Sequence, residues 1–294
     1  SEGAVGARLE EHGLPFFLLL RSNGTGLYST KDIALAQRKF EEFKIDRSVY
    51  VVDVRQSLHF QQVFKTLELM GYEKAKDCFH LAYGFVLLPE GEMSSRTGNV
   101  ILFSELRRRL VEKIRQDFLD DKDWPEEEKA DAARAIALAS IKYGMLNQDN
   151  VKNIVFDLDA WTNATGNTGP YLLYAYTRTR SIRQKLADQG LLEGREDHPP
   201  DWSLLSHERE KEVLRQLDEF PELAARAARE YQPKLVCIYL YDLCKNFSRM
   251  YQHCPVNQAD TPELRFARLE LFEATGVVIR DGLELLGIRT IERM

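Results

Sequence analysis

SVYVVDV, residues 48–54, is a nearly continuous run of apolar, β-branched side chains, and such a run predicts a strand covered on both faces. Outward from it the pattern alternates. Downstream, HFQQVFKTLELMGY (59–72) has apolar residues at helical spacing and is expected to end at Gly71, a residue suited to a helix terminus. FHLAYGFVLLP (79–89) is a second strand candidate. Upstream, DIALAQRKFEEFK (32–44) places Ile33, Leu35, Ala36, Phe40 and Phe43 on a helix, with Thr30 as its expected cap. PFFLLLRS (15–22) reads as a further strand, closed by the turn SNGTG. This succession predicts βαβ units and a parallel sheet.

From residue 104 onward the period changes. SELRRRLVEKIRQDFL (104–119) reads as a helix capped by Ser104. WPEEEKADAARAIALASIKYGML (124–146) reads as a long helix with Pro125 in its first turn. Helical periodicity then continues through residues 171–190, 207–220, 221–231, 233–252 and 262–287. The polar segment GREDHPPDWS (194–203) is expected to be an exposed loop. The expected fold class is an α/β half-domain followed by an all-α helical bundle. Its parts are 1–103, a helical connecting segment 104–165, and a helical domain 166–294.

The 294 residues are 44% hydrophobic and 29% charged, as in a soluble globular protein. No apolar stretch is long enough to span a bilayer. The opening SEGAVGARLEEHG is not a secretory signal and lacks an initiator Met, so a fragment of a cytoplasmic protein is expected. The net charge of −6 argues against sequence-blind coating of nucleic acid but leaves room for a local basic patch. Cys78, Cys237, Cys244 and Cys254 show neither C-x-x-C nor zinc-finger spacing, and they read as reduced, mostly buried thiols rather than metal ligands.

Four groups of residues have chemistry to offer. The loop Gly91–Asn99, GEMSSRTGN, combines hydroxyls, an Arg and glycines that suit polyphosphate; by composition alone it is better read as an ordinary surface loop, since it has no Walker pattern. Tyr28, Asp32 and Gln56 stand at the ends of adjacent elements and could grip a guanidinium. On spacing alone, the preferred reading of Asp32 is a carboxylate favouring a helix N-terminus, and His59 and His80 read as structural. RTRSIRQK (178–185) follows Tyr171, Tyr174 and Tyr176, a combination suited to phosphate contact and base stacking. The plainer alternative, core tyrosines beside a solvated cationic face, is ahead from spacing alone. RRRLVEKIR (107–115) reads first as a solvated basic face and second as an RNA-backbone contact.

Taken in order, these pieces resemble the arginyl-tRNA synthetase family of class I aminoacyl-tRNA synthetases. The resemblance rests on GLYSTKDIALA, VYVVDVRQSLHF, HLAYGFV followed by EMSSRTGNVILF, ASIKYGML, FDLDAWTNATGNTGPYLLYAYTRTRSI and the terminal LLGIRTIERM. It implies the C-terminal half of a Rossmann-like catalytic domain followed by an anticodon-binding bundle. It further implies an arginine–tRNA ligase using ATP, L-arginine and tRNA-Arg, with Mg²⁺, and monomeric when complete. By the same resemblance, Tyr28, Asp32 and Gln56 bind the arginine side chain. His80, Gly84, Val86 and Met93 border adenine. Ser94, Ser95 and Arg96 sit over the phosphates. Tyr174, Arg178, Tyr251 and Met294 lie near the anticodon loop, while Tyr239 and Tyr241 pack in the bundle core.

The chain departs from the family pattern in three places. No H-[ILV]-G-[HN] motif occurs, so the other catalytic half is expected to lie outside this sequence and the chain alone to be inactive. Glu92 stands where the loop's leading Lys would be, and Thr97 where a Lys is common, leaving Arg96 as the loop's cation. A free-standing, non-catalytic relative that binds tRNA or a partner protein is the alternative. Retention of the arginine-grip residues argues against it.

Overall fold

The computed structural model describes residues 3–88, 91–92 and 102–294. Two compact units make up the chain: Ser1–Val86 with Asn150–Ile154, and Leu87–Asp149 with Val155–Met294.

In the first unit, β1 (Val5–Ala7) pairs antiparallel with β2 (Phe17–Leu20), and helix α1 (Tyr28–Phe43) follows. The expected cap at Thr30 is not the helix start. Leu27 holds that position, and the Thr30 hydroxyl instead accepts the Leu27 N–H at 3.3 Å and donates to the Leu19 carbonyl at 2.5 Å. Ser29 Oγ likewise donates to Leu18 O at 2.6 Å. The two hydroxyls therefore stitch the first turn of α1 to β2, which is why small hydroxyl residues stand there.

The decisive strand is β3 (Ser48–Asp53), parallel to β4 (Cys78–Tyr83) in the register Ser48↔Cys78. Helix α2 (Ser57–Leu69) connects them, completing the expected βαβ unit. The chain turns out of α2 at Gly71, whose φ of +76° suits a residue without Cβ. Ser48 and Tyr50 are buried, Tyr50 against Phe60 and Phe64, with ring centroids 5.1 and 5.3 Å away. The expectation of a strand covered on both faces is corrected: Val51 is 62% exposed and Val49 is exposed too, so one face is packed and the other open. Leu9, Phe17, Ile33, Ala36, Val63 and Leu67 form a second apolar cluster between α1, α2 and β2.

The second unit begins within β5 (Val86–Leu88), which pairs antiparallel with β6 (Gly91–Glu92). Helix α3 (Phe103–Ile114) runs into a π-helical turn at Arg115–Leu119, and α4 (Glu126–Leu146) follows. The caps differ from expectation: Leu102, not Ser104, precedes α3, and Pro125 occupies the cap of α4 rather than its first turn. After β7 (Ile154–Val155) come α5 (Leu158–Thr162), α6 (Gly169–Asp188), α7 (Glu208–Glu230), α8 (Pro233–His253) and α9 (Pro262–Leu285).

Thr168 caps α6 by accepting the Tyr171 N–H, with Pro170 in the first turn. Residues 207–220 and 221–231, expected as separate helices, are one: α7 continues through Pro221. A proline removes one intrahelical donor, yet α7 is unbroken there and lies along α8, with the Phe220 ring 5.4 Å from that of Tyr239. The Tyr239 hydroxyl supplies a tie from α8, donating to Gln216 O at 2.6 Å. Phe247, Phe266, Phe272, Leu172 and Leu173 are fully buried at the centre of this bundle.

The polar segment 194–203 is largely exposed, as expected, and is pinned by Arg195 to Glu270 and by His198 to Glu263. All four cysteines are buried.

Candidate functional site

The first unit brings several predicted residues to the ends of β3 and α1. Asp53 ends β3 and caps the turn Val54–Gln56: its carboxylate accepts from Arg55 N at 3.0 Å, Arg55 Nε at 3.1 Å and Gln56 Nε2 at 3.4 Å. The Arg55 side chain, then this backbone donor and Gln56, hold the Asp53 carboxyl below the usual carboxylate range. Gln56 is thus placed by Asp53 just before α2.

Three residues on, His59 Nε2–H donates to Asp32 Oδ2 at 2.6 Å, joining α2 to α1. The His59 ring is seated edge-on to Phe17 and Phe60, at 5.7 and 5.3 Å. Asp32 is the fifth residue of α1, beyond the turn where a helix dipole would hold it. Tyr28 opens the helix and is 83% exposed.

Each of the three predicted grip residues therefore has its own setting: Asp32 on His59, Gln56 on Asp53, and Tyr28 projecting to solvent. Asp53 is an organising residue that sequence reasoning passed over, and His59, read there as structural, is the neighbour that holds Asp32. The Gln56–His59 spacing of three, at a helix start, is the signal that places both on one side of α2.

His80, on β4, donates from Nε2 to Val52 O at 3.1 Å and lies 4.6 Å from the Phe60 ring. Gly84 is buried, and its N–H donates to Asn150 O at 2.8 Å. A Cβ built there would lie 2.2 Å from the Lys152 carbonyl oxygen, so the close pass of residues 150–153 requires glycine. Phe85 N donates to Asn153 Oδ1 at 2.9 Å, closing the same contact. Val86 is half-buried. Met93, Ser94, Ser95 and Arg96 lie outside the described residues.

In the second unit, the four predicted RNA-facing residues come together. Tyr174 and Arg178 are one turn apart on α6; Arg178 Nη2 donates to the Tyr174 hydroxyl at 2.6 Å, and its guanidinium lies 4.7 Å from that ring. The same guanidinium lies 4.9 Å from the ring of Tyr251, on α8. Tyr251 in turn packs on Phe272 at 5.9 Å and Phe247 at 6.2 Å, so its position is set by the core. Tyr174, Thr177, Arg178, Lys185 and Met294 line a cavity of about 210 Å³. A planar cation between two aromatic rings, beside a thioether, makes a surface on which an unpaired base can stack.

The tyrosines of α6 divide by face. Tyr176 is buried, Tyr174 is exposed, and Tyr171 is half-buried edge-on to Tyr241, with burial raising its phenol pKa. Tyr239 packs in the core, whereas Tyr241 is half-buried beneath Lys245. The basic run is not a row of unopposed cations: Arg183 pairs with Glu273 at 2.9 Å and Arg180 with Glu292 at 3.8 Å. On α3, Arg108 and Arg109 pair with Glu105 and Glu112, which makes this stretch a compensated solvated face.

Among known proteins, residues 1–158 match the model of the catalytic domain of class I tRNA synthetases (R), and residues 172–294 match the DALR anticodon binding domain. The whole chain is 43% identical to an arginine–tRNA ligase of Bdellovibrio bacteriovorus and 37% identical to one of Chloroflexus aggregans, covering 50% of each. Among solved structures, it is similar to Thermus thermophilus arginyl-tRNA synthetase, with a TM-score of 0.84 and 31% identity over 99% of this chain and 54% of that one. It shares its fold with the Plasmodium falciparum arginyl-tRNA synthetase, at a TM-score of 0.79 and 21% identity over 100% of this chain and 49% of that one. The chain spans about half the length of the curated relatives it matches.

Proposed function

Because the chain belongs to the arginyl-tRNA synthetase family, we propose that it serves the ATP-dependent joining of L-arginine to tRNA-Arg through an arginyl-adenylate. The arginine carboxylate attacks the α-phosphorus of ATP and pyrophosphate leaves. A terminal ribose hydroxyl of the tRNA then displaces AMP at the activated carbonyl.

Asp32 is the anchor for the guanidinium, with its carboxylate oriented by His59. Gln56, placed by Asp53, and Tyr28 add directional hydrogen bonds that a lysine would match poorly. His80, Gly84, Val86 and Met93 border the adenine, and Ser94, Ser95 and Arg96 are assigned to the phosphates on resemblance alone. Among the described residues, no group of three His, Cys, Asp or Glu side chains is placed to hold a metal. Mg²⁺ would enter on the nucleotide phosphates, as that ion commonly does.

The observation that carries the reading is the Tyr174–Arg178–Tyr251 arrangement beside Met294, a site for splayed-out anticodon bases. The parts are assigned as a catalytic portion to residue 103, a connecting segment to 165 and an anticodon-binding domain beyond, in a monomeric protein of the cytoplasm. Among the described residues no helix is long and apolar enough to cross a membrane. The alternative of a non-catalytic relative is not favoured, because the curated relatives are named as ligases.

A filter-binding titration of the chain with tRNA-Arg tests the proposal. Binding that falls steadily with rising salt is expected, because phosphate contacts release counterions. Absent or salt-insensitive binding would overturn it.

A further inference from the structure

The last residues of the chain are fastened by two kinds of contact. Leu286, Ile288 and Ile291 are buried, and Ile288 N–H donates to Leu283 O at 2.8 Å. Apolar packing thus holds the tail as far as residue 291. Arg289 adds a pairing with Asp131 of α4 at 2.7 Å.

Beyond Ile291 the situation changes. Glu292 and Arg293 are exposed and Met294 is half-buried, so packing alone does not fix them. Arg293 takes over: its Nε and Nη2 donate to the two carboxylate oxygens of Glu128, and its guanidinium lies 4.4 Å from the Trp124 ring centroid. A two-pronged pairing of this kind fixes direction as well as distance, and the indole fixes the plane. Arg293 also stands at the wall between two cavities. One, of about 220 Å³, holds Trp124, Glu128 and Asp131; the other holds Tyr174, Arg178 and Met294.

We propose that Glu128 and Trp124 are positioning residues for the RNA-reading pocket: by gripping Arg293 they set Met294 beside Tyr174 and Arg178. This rests on the reading of that pocket as the tRNA site. An exposed ion pair contributes little to folding, so its loss is expected in RNA affinity and not in the unfolding midpoint. Asp131 is backed up by two buried isoleucines and matters less.

The test uses the chain and an RNA hairpin carrying an arginine anticodon. Glu128→Gln and deletion of Met294 are each expected to weaken binding about tenfold, and to weaken it no further when combined, because preorganisation is lost only once. Asp131→Asn is expected to cost less than about threefold by the same reasoning. Exchanging the partners, Glu128→Arg with Arg293→Glu, should restore binding only in part, because the ion pair is rebuilt while the cation over the Trp124 ring is lost. Without RNA, carboxypeptidase should release Met294 faster from the Glu128→Gln protein. Unchanged release, wild-type binding by Glu128→Gln, or losses that add to those of the Met294 deletion would each overturn the proposal. If release quickens but deleting Met294 leaves binding intact, the clamp exists and the reading of the pocket is what fails, taking the positioning role with it.

Discussion

Asp32 on α1 and His59 on α2 are joined by a 2.6 Å hydrogen bond, and this bond couples the two helices that carry the proposed arginine grip. The imidazole is itself wedged against Phe17 and Phe60, so the carboxylate is held by a side chain with little freedom of its own. In protein competent for aminoacylation, Asp32→Ala should raise the KM for arginine about a hundredfold, the usual scale for losing one partner of a hydrogen-bonded charge pair. His59→Ala should raise it about tenfold, and His59→Gln, which keeps a donor, should recover part of that loss. Arginine-dependent ATP–pyrophosphate exchange measures this; an unchanged KM in Asp32→Ala would remove Asp32 as the anchor.

Arg178 between Tyr174 and Tyr251 predicts a split between stacking and hydrogen bonding. Tyr251→Phe keeps the ring and should bind tRNA-Arg nearly as the native protein does. Tyr251→Ala should weaken binding about tenfold, within the range for losing one base–aromatic stack. Arg178→Ala should also flatten the salt dependence, which a stacking residue should leave in place.

Gly84→Ala sets a Cβ against the Lys152 carbonyl and should lower stability by about 1–3 kcal/mol, the cost of overpacking. Gly71→Ala meets no atom within 4 Å and suffers only its positive φ, at about 1 kcal/mol. Thermal unfolding should therefore rank the two; equal losses would mean that residues 150–153 yield to make room.

Glu210 is fully buried, and its Oε1 accepts from Arg268 Nε at 2.6 Å. Removing the acid by Glu210→Ala leaves a largely buried cation and should cost about 3–5 kcal/mol in urea unfolding. Replacing both partners with apolar side chains of similar volume should cost much less, since the penalty lies in the unpaired charge and not in the absent bridge.

Burial pushes the Cys237 thiol up to about 12 and the Cys254 thiol up to about 11. A thiol needs its anion to react, so alkylation of the native chain at pH 8 should be slow at both and fast after unfolding, as mass spectrometry would show. The linkage has a definite sign. Stability from these neutral thiols is fully present below the ordinary thiol value of 9.0 and is lost as the pH rises through 11 to 12.

Much of this was legible in the chain. The β3–α2–β4 unit and the long helices follow from apolar periodicity, which local packing enforces. The Tyr174–Arg178 contact follows from a four-residue spacing on one helix face. What escaped depends on distant partners. Nothing near Pro221 reveals that α7 runs on unbroken through it. Nothing in SVYVVDV tells that Tyr50 has a core to enter while Val51 does not. His59 looks like any isolated histidine until the fold brings Asp32, 27 residues away, within hydrogen-bonding reach.

The pass of residues 150–154 against Gly84 also makes the first unit discontinuous along the chain. Phe85 and Asn153 are 68 residues apart, and every residue between them must leave a ribosome before this contact can form. Closing so long a loop is slow compared with winding the helices inside it. Order of synthesis and order of assembly therefore part company: helices α3 and α4 can wind while Gly84 and Phe85, made earlier, still wait for their partners.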